Sequence, residues 1–392
     1  MGVRPLLVSA AAAVVTLCAG CATFPEQPPQ QKWQSTAALT PEAGPTPGLP
    51  EDPGGGSPDS GGGQQNSAEP VPPPDGCTDY NPAVIGTCLD TVFAVAALPG
   101  DPRNPVALVG ERRTGRILKV QKDTKPVVVA KLAVNPAGDG GLTGLALSPS
   151  YSEDQLIFAY ITTGSDNRLV RIAPGDKPKP VITGIPRGST GNRGALAADH
   201  KGALLLATGD AGNASAATTE SSLAGKVLRV DATGKAAEGN PHGERVIASG
   251  LHAPGGVCAS VDGAMAWVTD QGAKEDLLYR LVPGRALTTP AWTWPDRPGV
   301  AGCIAWSNMV VVATSKAGNL QNLPLAPDGT FTGKPATTMT GEDGFGLLGG
   351  VDIVSDALAI GATVNKQGGK PVSSDDRAIV INRQNAGGGG ID

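Results

Sequence analysis

The sequence predicts an all-β domain, a six-bladed β-propeller, and three observations predict it. From about residue 77 onward there is no long helical periodicity, and Gly, Pro, Asp and Thr punctuate short apolar runs. A unit of a small apolar strand, a polar turn and a second strand recurs six times. The starts of these units fall about 50 residues apart, a period that leaves room for two further strands each, as a four-stranded propeller blade requires.

The copies are "PVALVGERRTGRILKV" from 105, "QLIFAYITTGSDNRLVRI" from 155, "ALLLATGDAGN" with "GKVLRV" from 203, "AMAWVTDQGAKEDLLYRL" from 264, "VVVATSKAGNLQNLPLA" from 310, and "LAIGATVNKQGG" with "RAIVI" from 358. Six units make a domain of about 310 residues, which radial repeats sustain because each blade buries its faces against two neighbours. The apolar strands are expected to be central, with small residues where the blades converge on the axis. A β-sandwich is the competing architecture, but sandwiches lack such a fixed period.

Residues 1–20 carry one cation, Arg4, and the apolar run "LLVSAAAAVVTLCAG", too short for a membrane span and suited to a secretory signal peptide. The run ends in "LCAGC", which resembles a bacterial lipobox with Cys21 as the acylated residue, although Cys18 holds the position usual for Leu. An ordinary secreted chain is the alternative. Two acyl chains on one residue suffice for stable anchoring, so the expected location is the outer face of the cell membrane. Residues 21–76 are rich in Pro, Gly, Ser and Gln and are expected to be a disordered tether, about 55 residues with a mean reach of about 40 Å. The domain is expected to span 77–383, followed by a flexible Gly-rich tail over 384–392.

Beyond the first two cysteines, Cys77, Cys88, Cys258 and Cys303 remain. In an oxidising compartment they form two disulfides, and three pairings are open in principle. The favoured pairing joins Cys77 to Cys88 in a short local loop and Cys258 to Cys303 across strands far apart in sequence. A metal site is the rival, but none of these four cysteines forms a Cys-x-x-Cys and no histidine neighbours any of them. The net charge is −5 with scattered cations, which offers no basic stripe for nucleic acid. A monomer is expected.

Several stretches resemble the soluble glucose and sorbosone dehydrogenase family, six-bladed propellers that bind pyrroloquinoline quinone, and within it an actinobacterial lipoprotein branch. "VGERRTGRI" from 109 is similar to the family's first-blade turn, and "GDGGLTGLALSPSY" over 138–151 to its Gly-rich second-blade signature. "TGDAGN" with "LAGKVLRVD" from 223 resembles the third-blade pair, "TDQGAKED" from 269 the fourth-blade loop, and "WTWPDRPGVAG" from 292 the region after it. The resemblance spans nearly all of 89–382.

It implies a His that takes the proton from a sugar hydroxyl, an Arg that polarises the quinone, and a Ca²⁺ held by backbone carbonyls. In this chain the run reads Gly191, Asn192, Arg193, Gly194, Ala195, Leu196, so the His position holds Gly191 and the following Arg position holds Ala195. The family's Gly-x-Arg-Asn-Pro stretch reads "GLHAPGG", with His252 for the polarising Arg. Gln271, Gly272 and Ala273 match the calcium loop, Gly272 and Ala273 supplying the carbonyls, with Ala273 in place of the usual Pro. Asp139 and Asp210 match positions that face the sugar.

The expected pocket is therefore lined by Asp139, Arg193, Asp210, His252 and Gln271, with Trp294 near its rim. Losing a general base costs about 10²- to 10⁴-fold and losing an electrostatic stabiliser about 10²- to 10³-fold. The preferred reading is a lipid-anchored propeller that has lost the oxidation chemistry and binds a sugar, another small ligand or an envelope protein partner. The alternatives are a working quinone-dependent sugar or aldehyde dehydrogenase with His252 or Asp210 as base, in which Ca²⁺ and pyrroloquinoline quinone are the cofactors, and a Ca²⁺-dependent hydrolase.

Overall fold

A computed structural model of the protein describes residues 71–383, together with the isolated Gly2. The signal peptide, Cys21, most of the tether and the tail 384–392 lie outside the described residues. The described chain folds into six four-stranded antiparallel sheets. Their first strands are Val92–Ala97, Leu142–Leu147, Gly194–Ala198, Pro254–Ala259, Val300–Trp306 and Leu348–Ser355. Each of these packs against the first strand of the next sheet, and the last packs against the first, so the six sheets close into a ring of blades.

The repeat legible in the sequence is the middle pair of each blade. "PVALVGERRTGRILKV", for example, supplies the second and third strands, Val106–Glu111 and Arg116–Gln121. Second strands are buried along nearly their whole length, because neighbouring blades cover both faces, and a strand covered on both faces is an uninterrupted apolar run. The expectation that these runs line the axis is corrected: the axis belongs to the strand before them in each blade. Small residues are needed there because backbones meet. A Cβ on Gly349 would lie 2.2 Å from the Val92 carbonyl oxygen, and one on Gly255 2.4 Å from that of Val300.

The ring is shut by the two ends of the domain sharing the sixth blade. Val84–Gly86 pairs antiparallel with Ala378–Asn382 as its outermost strand, Val84 facing Ile379. The expected Cys77–Cys88 disulfide forms and brackets this closing strand, with Cα atoms 5.5 Å apart. The segment is tied further by Ser374 Oγ donating to Asp79 at 2.6 Å and by the Arg377 ion pair with Asp79 at 3.3 Å. Cys258 and Cys303 are also bonded, Cα to Cα 5.7 Å, stapling the first strands of the fourth and fifth blades. A bridge over 45 residues contributes about 4 kcal/mol by loop-closure entropy.

Candidate functional site at one end of the ring

In an antiparallel blade the leading end of the first strand and the trailing end of the second lie on one rim. That geometry collects Asp139 before the second blade, Gly191 to Arg193 before the third, Asp210 after Leu204–Thr208, His252 before the fourth, and Gln271 at the end of Ala266–Gln271. The same rim carries Arg112, immediately after Val106–Glu111.

The residues are linked by hydrogen bonds from blade to blade. Asp139 accepts from the backbone N–H of Gly191 and of Asn192, both at 3.1 Å, and from Asn192 Nδ2 at 3.4 Å. The Gly191 carbonyl accepts from Ala211 N at 2.9 Å, and the Arg193 carbonyl from Gly209 N at 2.9 Å. Asp210 is 1 % exposed at its side chain and meets His252 Nδ1 at 2.5 Å, while the imidazole is 43 % exposed. Asp270, which the sequence reading did not single out, holds the next turn: His252 N donates to it at 2.9 Å and Ala253 N at 2.6 Å. Burial raises the Asp270 carboxyl to about 6, against the opposing pull of those two backbone N–H groups. Gln271 braces the neighbouring blade through Nε2 to the Val300 carbonyl at 2.9 Å.

The position expected to hold the base has no room for one. Gly191 has φ of 67°, and a Cβ there would lie 2.5 Å from Asp210 Oδ1 and 2.6 Å from Gly212 N. The carboxylate beside that position carries His252 instead. An Asp that fixes the Nδ1 side of an imidazole leaves Nε2 directed away from it, so the pair can accept a proton at a place other than 191.

The calcium carbonyls are already engaged by a cation of the chain. Arg297 Nη2 donates to the Gly272 carbonyl at 3.1 Å and Nη1 to that of Ala273 at 3.4 Å. Arg297 Nε stands 3.9 Å from buried Asp276, whose other oxygen accepts from Gly299 N at 2.6 Å and Val300 N at 3.0 Å. A divalent ion on these two carbonyls would lie against a permanent positive charge. The residues present therefore do not fit Ca²⁺ there, and no step is drawn through a calcium-held quinone.

Trp294 requires a correction. It is buried rather than at a rim, packed with Trp267, Cys258, Cys303 and Val310 between the fourth and fifth blades, with Nε1 bonded to Gln321 at 3.3 Å. Register explains the placement: Trp294 pairs with Asp276 at the end of the fourth blade's outer hairpin, and both side chains turn inward. Arg112 was also missed. Its Nη1 gathers the carbonyls of Pro136, Gly138 and Gly140 at 3.2, 3.2 and 2.7 Å, bracing the Gly-rich turn that carries Asp139. The Glu-Arg turn at 111 and 112 was visible in the sequence, but its reach to residue 140 was not.

An axial cavity of about 630 Å³ opens at the opposite end, lined by the trailing halves of the first strands, the Cys258–Cys303 bridge and Asp352. None of the site candidates lines it. Among the described residues no three His, Cys, Asp or Glu side chains are placed to hold a metal.

Fold and rim together define a six-bladed propeller with a polar site where its blade loops converge. The sequence model of the glucose/sorbosone dehydrogenase family matches residues 89–296, and the chain belongs to that family. Similar solved structures include the PQQ-bound aldose sugar dehydrogenase of Streptomyces coelicolor, 27 % identical with a TM-score of 0.70, covering 76 % of this chain and 96 % of that one. A glucose dehydrogenase-like oxidoreductase of Thermus thermophilus is 25 % identical, TM-score 0.68, with 76 % and 98 % covered. The soluble aldose sugar dehydrogenase of Escherichia coli, 18 % identical with a TM-score of 0.61 over 76 % and 99 %, shares the fold. No curated protein matches the chain significantly.

Proposed function

We propose that this chain is a monomeric cell-envelope lipoprotein, anchored through Cys21 at the outer face of the membrane, whose propeller binds a sugar or similar small ligand at the His252 end without quinone-dependent oxidation. The observation that carries this reading is Gly191: the place of the expected base lies in a positive-φ turn where any side chain would collide with Asp210 and Gly212. His252 in place of the polarising Arg, and Arg297 on the Gly272 and Ala273 carbonyls, support it independently.

The test is to incubate the full chain with Ca²⁺ and pyrroloquinoline quinone and follow quinone absorbance and dye reduction over a panel of aldoses. The expected result is neither quinone binding nor turnover. A second reading, a dehydrogenase whose base is His252, is favoured by the 2.5 Å contact with Asp210. Turnover that His252→Ala abolishes would establish that reading and overturn the first.

A further inference from the structure

Four cations of the described chain are buried: Arg112, Arg193, Lys226 and Arg377. Three of them have partners within the chain, although Arg112 Nε, like Arg193 Nε, has none. Arg112 bonds three carbonyls, Lys226 Nζ bonds those of Ala216, Ala217 and Ala224, and Arg377 pairs with Asp375 and Asp79. Arg193 is the exception. It is 7 % exposed, its Nε is enclosed without a partner, and among the described residues its side chain makes no hydrogen bond and no ion pair.

Its position is central. Arg193 leads into the third blade, yet its guanidinium lies 4.4 Å from the centroid of the Phe93 ring on the first blade. It also feels the charges of Asp139, Arg112 and Asp276, which lead from the second, first and fourth blades. A side chain that reaches from the third blade to the first, between groups of the second and fourth, sits at the axis beneath the loops. The nearby acids do not neutralise it by contact: Asp139 is committed to Gly191 and Asn192, and Asp210 to His252 and Gly212 N.

We infer that Arg193 is an anion-binding residue at the centre of this rim, and that the ligand is a carbohydrate bearing an oxyanion, a sugar acid or a sugar phosphate. A planar guanidinium with free N–H groups, desolvated and seated on an aromatic face, is matched by carboxylate or phosphate oxygens and not by a neutral hydroxyl alone. A buried charge left unpaired weakens the fold, which is the expected signature of a group kept for a ligand. The assignment rests on the binding reading above.

The experiment is calorimetric titration of the full chain with D-glucuronate, glucose 6-phosphate and D-glucose, repeated with Arg193→Met and Arg193→Lys, beside thermal melting of each. The expected result is a preference for one or both anionic sugars of about 10- to 100-fold over glucose, which Arg193→Met removes and Arg193→Lys retains in part. The preferred anion tells a sugar acid from a sugar phosphate. Arg193→Met should also melt at or above the parent. Equal affinity for charged and neutral sugars, or no binding of any of them, overturns the assignment; so does an anion preference that survives Arg193→Met. A variant that melts lower with unaltered binding shows a guanidinium that serves the fold. Quinone turnover would overturn the non-oxidative reading and leave the anion preference to be judged by these titrations alone.

Discussion

Arg297 spans twenty-five residues to place Nη2 on the Gly272 carbonyl at 3.1 Å, with Nη1 on the next carbonyl at 3.4 Å. The loop is thereby held by a cation built into the chain, as the 138–140 turn is held by Arg112 and the 216–224 loop by Lys226. Removing Arg297 frees two carbonyl oxygens beside Asp276 Oδ1, which has no hydrogen-bond donor of its own. Arg297→Ala should therefore lose about 1 kcal/mol of stability and acquire weak affinity for Ca²⁺ or Tb³⁺. At ten times the dissociation constant the metal would return about 1.4 kcal/mol. Melting with and without Ca²⁺, and Tb³⁺ luminescence excited through the tryptophans, read the outcome. An identical response in parent and variant would show that the guanidinium does not compete for a cation site.

Restoring the family's base by a single substitution should fail for a geometric reason. At φ of 67° a non-glycine residue costs about 1–2 kcal/mol before contacts are counted. The added Cβ would meet the Asp210 carboxylate and two backbone nitrogens, all under 3.0 Å. Gly191→His is expected to destabilise the protein by about 2–4 kcal/mol and to yield no aldose oxidation. Gly191→Ala should give most of the stability loss without the imidazole. Denaturant melts and dye reduction in the presence of the quinone decide the matter, and a stable, active Gly191→His variant would refute the steric account.

The fold was legible because second strands, covered by a blade on each side, must be unbroken apolar runs, and "VVVAT" or "LLLAT" can hardly be anything else. The axial strands were not legible: "PGGVCA" and "LGGVDIVS" are shaped by backbone approach at Gly255 and Gly349, which leaves a glycine pattern resembling turns. Asp139, Asp210 and His252 are singled out through the family resemblance and not by local composition, because Asp beside Gly serves turns in any propeller. Trp294 is expected near the rim, whereas strand register, which local composition does not reveal, sends the indole inward. Arg193 is placed in the pocket lining, but the lack of side-chain partners around it and the grip of Arg297 on distant carbonyls could not be read. Neither leaves a mark on local composition.

Asp270 carries a pH dependence whose sign follows from burial. Its carboxyl titrates near 6 in the folded protein, raised from an ordinary value of 3.8 chiefly by burial, while the backbone N–H groups of His252 and Ala253 and the His252 charge pull the other way and Asp210 adds to the rise. The folded state thus holds this proton to higher pH than the unfolded chain does. The associated stability is complete below about pH 4 and is lost as pH climbs through about 6, a change of about 3 kcal/mol for a shift of about two units. Asp270→Asn keeps an oxygen where Oδ1 accepts from both His252 N and Ala253 N, at 3.1 and 2.6 Å, and removes the titration. Urea unfolding between pH 4 and pH 7.5 should show the variant gaining on the parent by that amount as pH rises, and the same comparison in a His252→Gln background separates the carboxyl from the imidazole. Parallel stability profiles for parent and variant would mean that Asp270 is ionised throughout, and that the backbone N–H groups outweigh its burial.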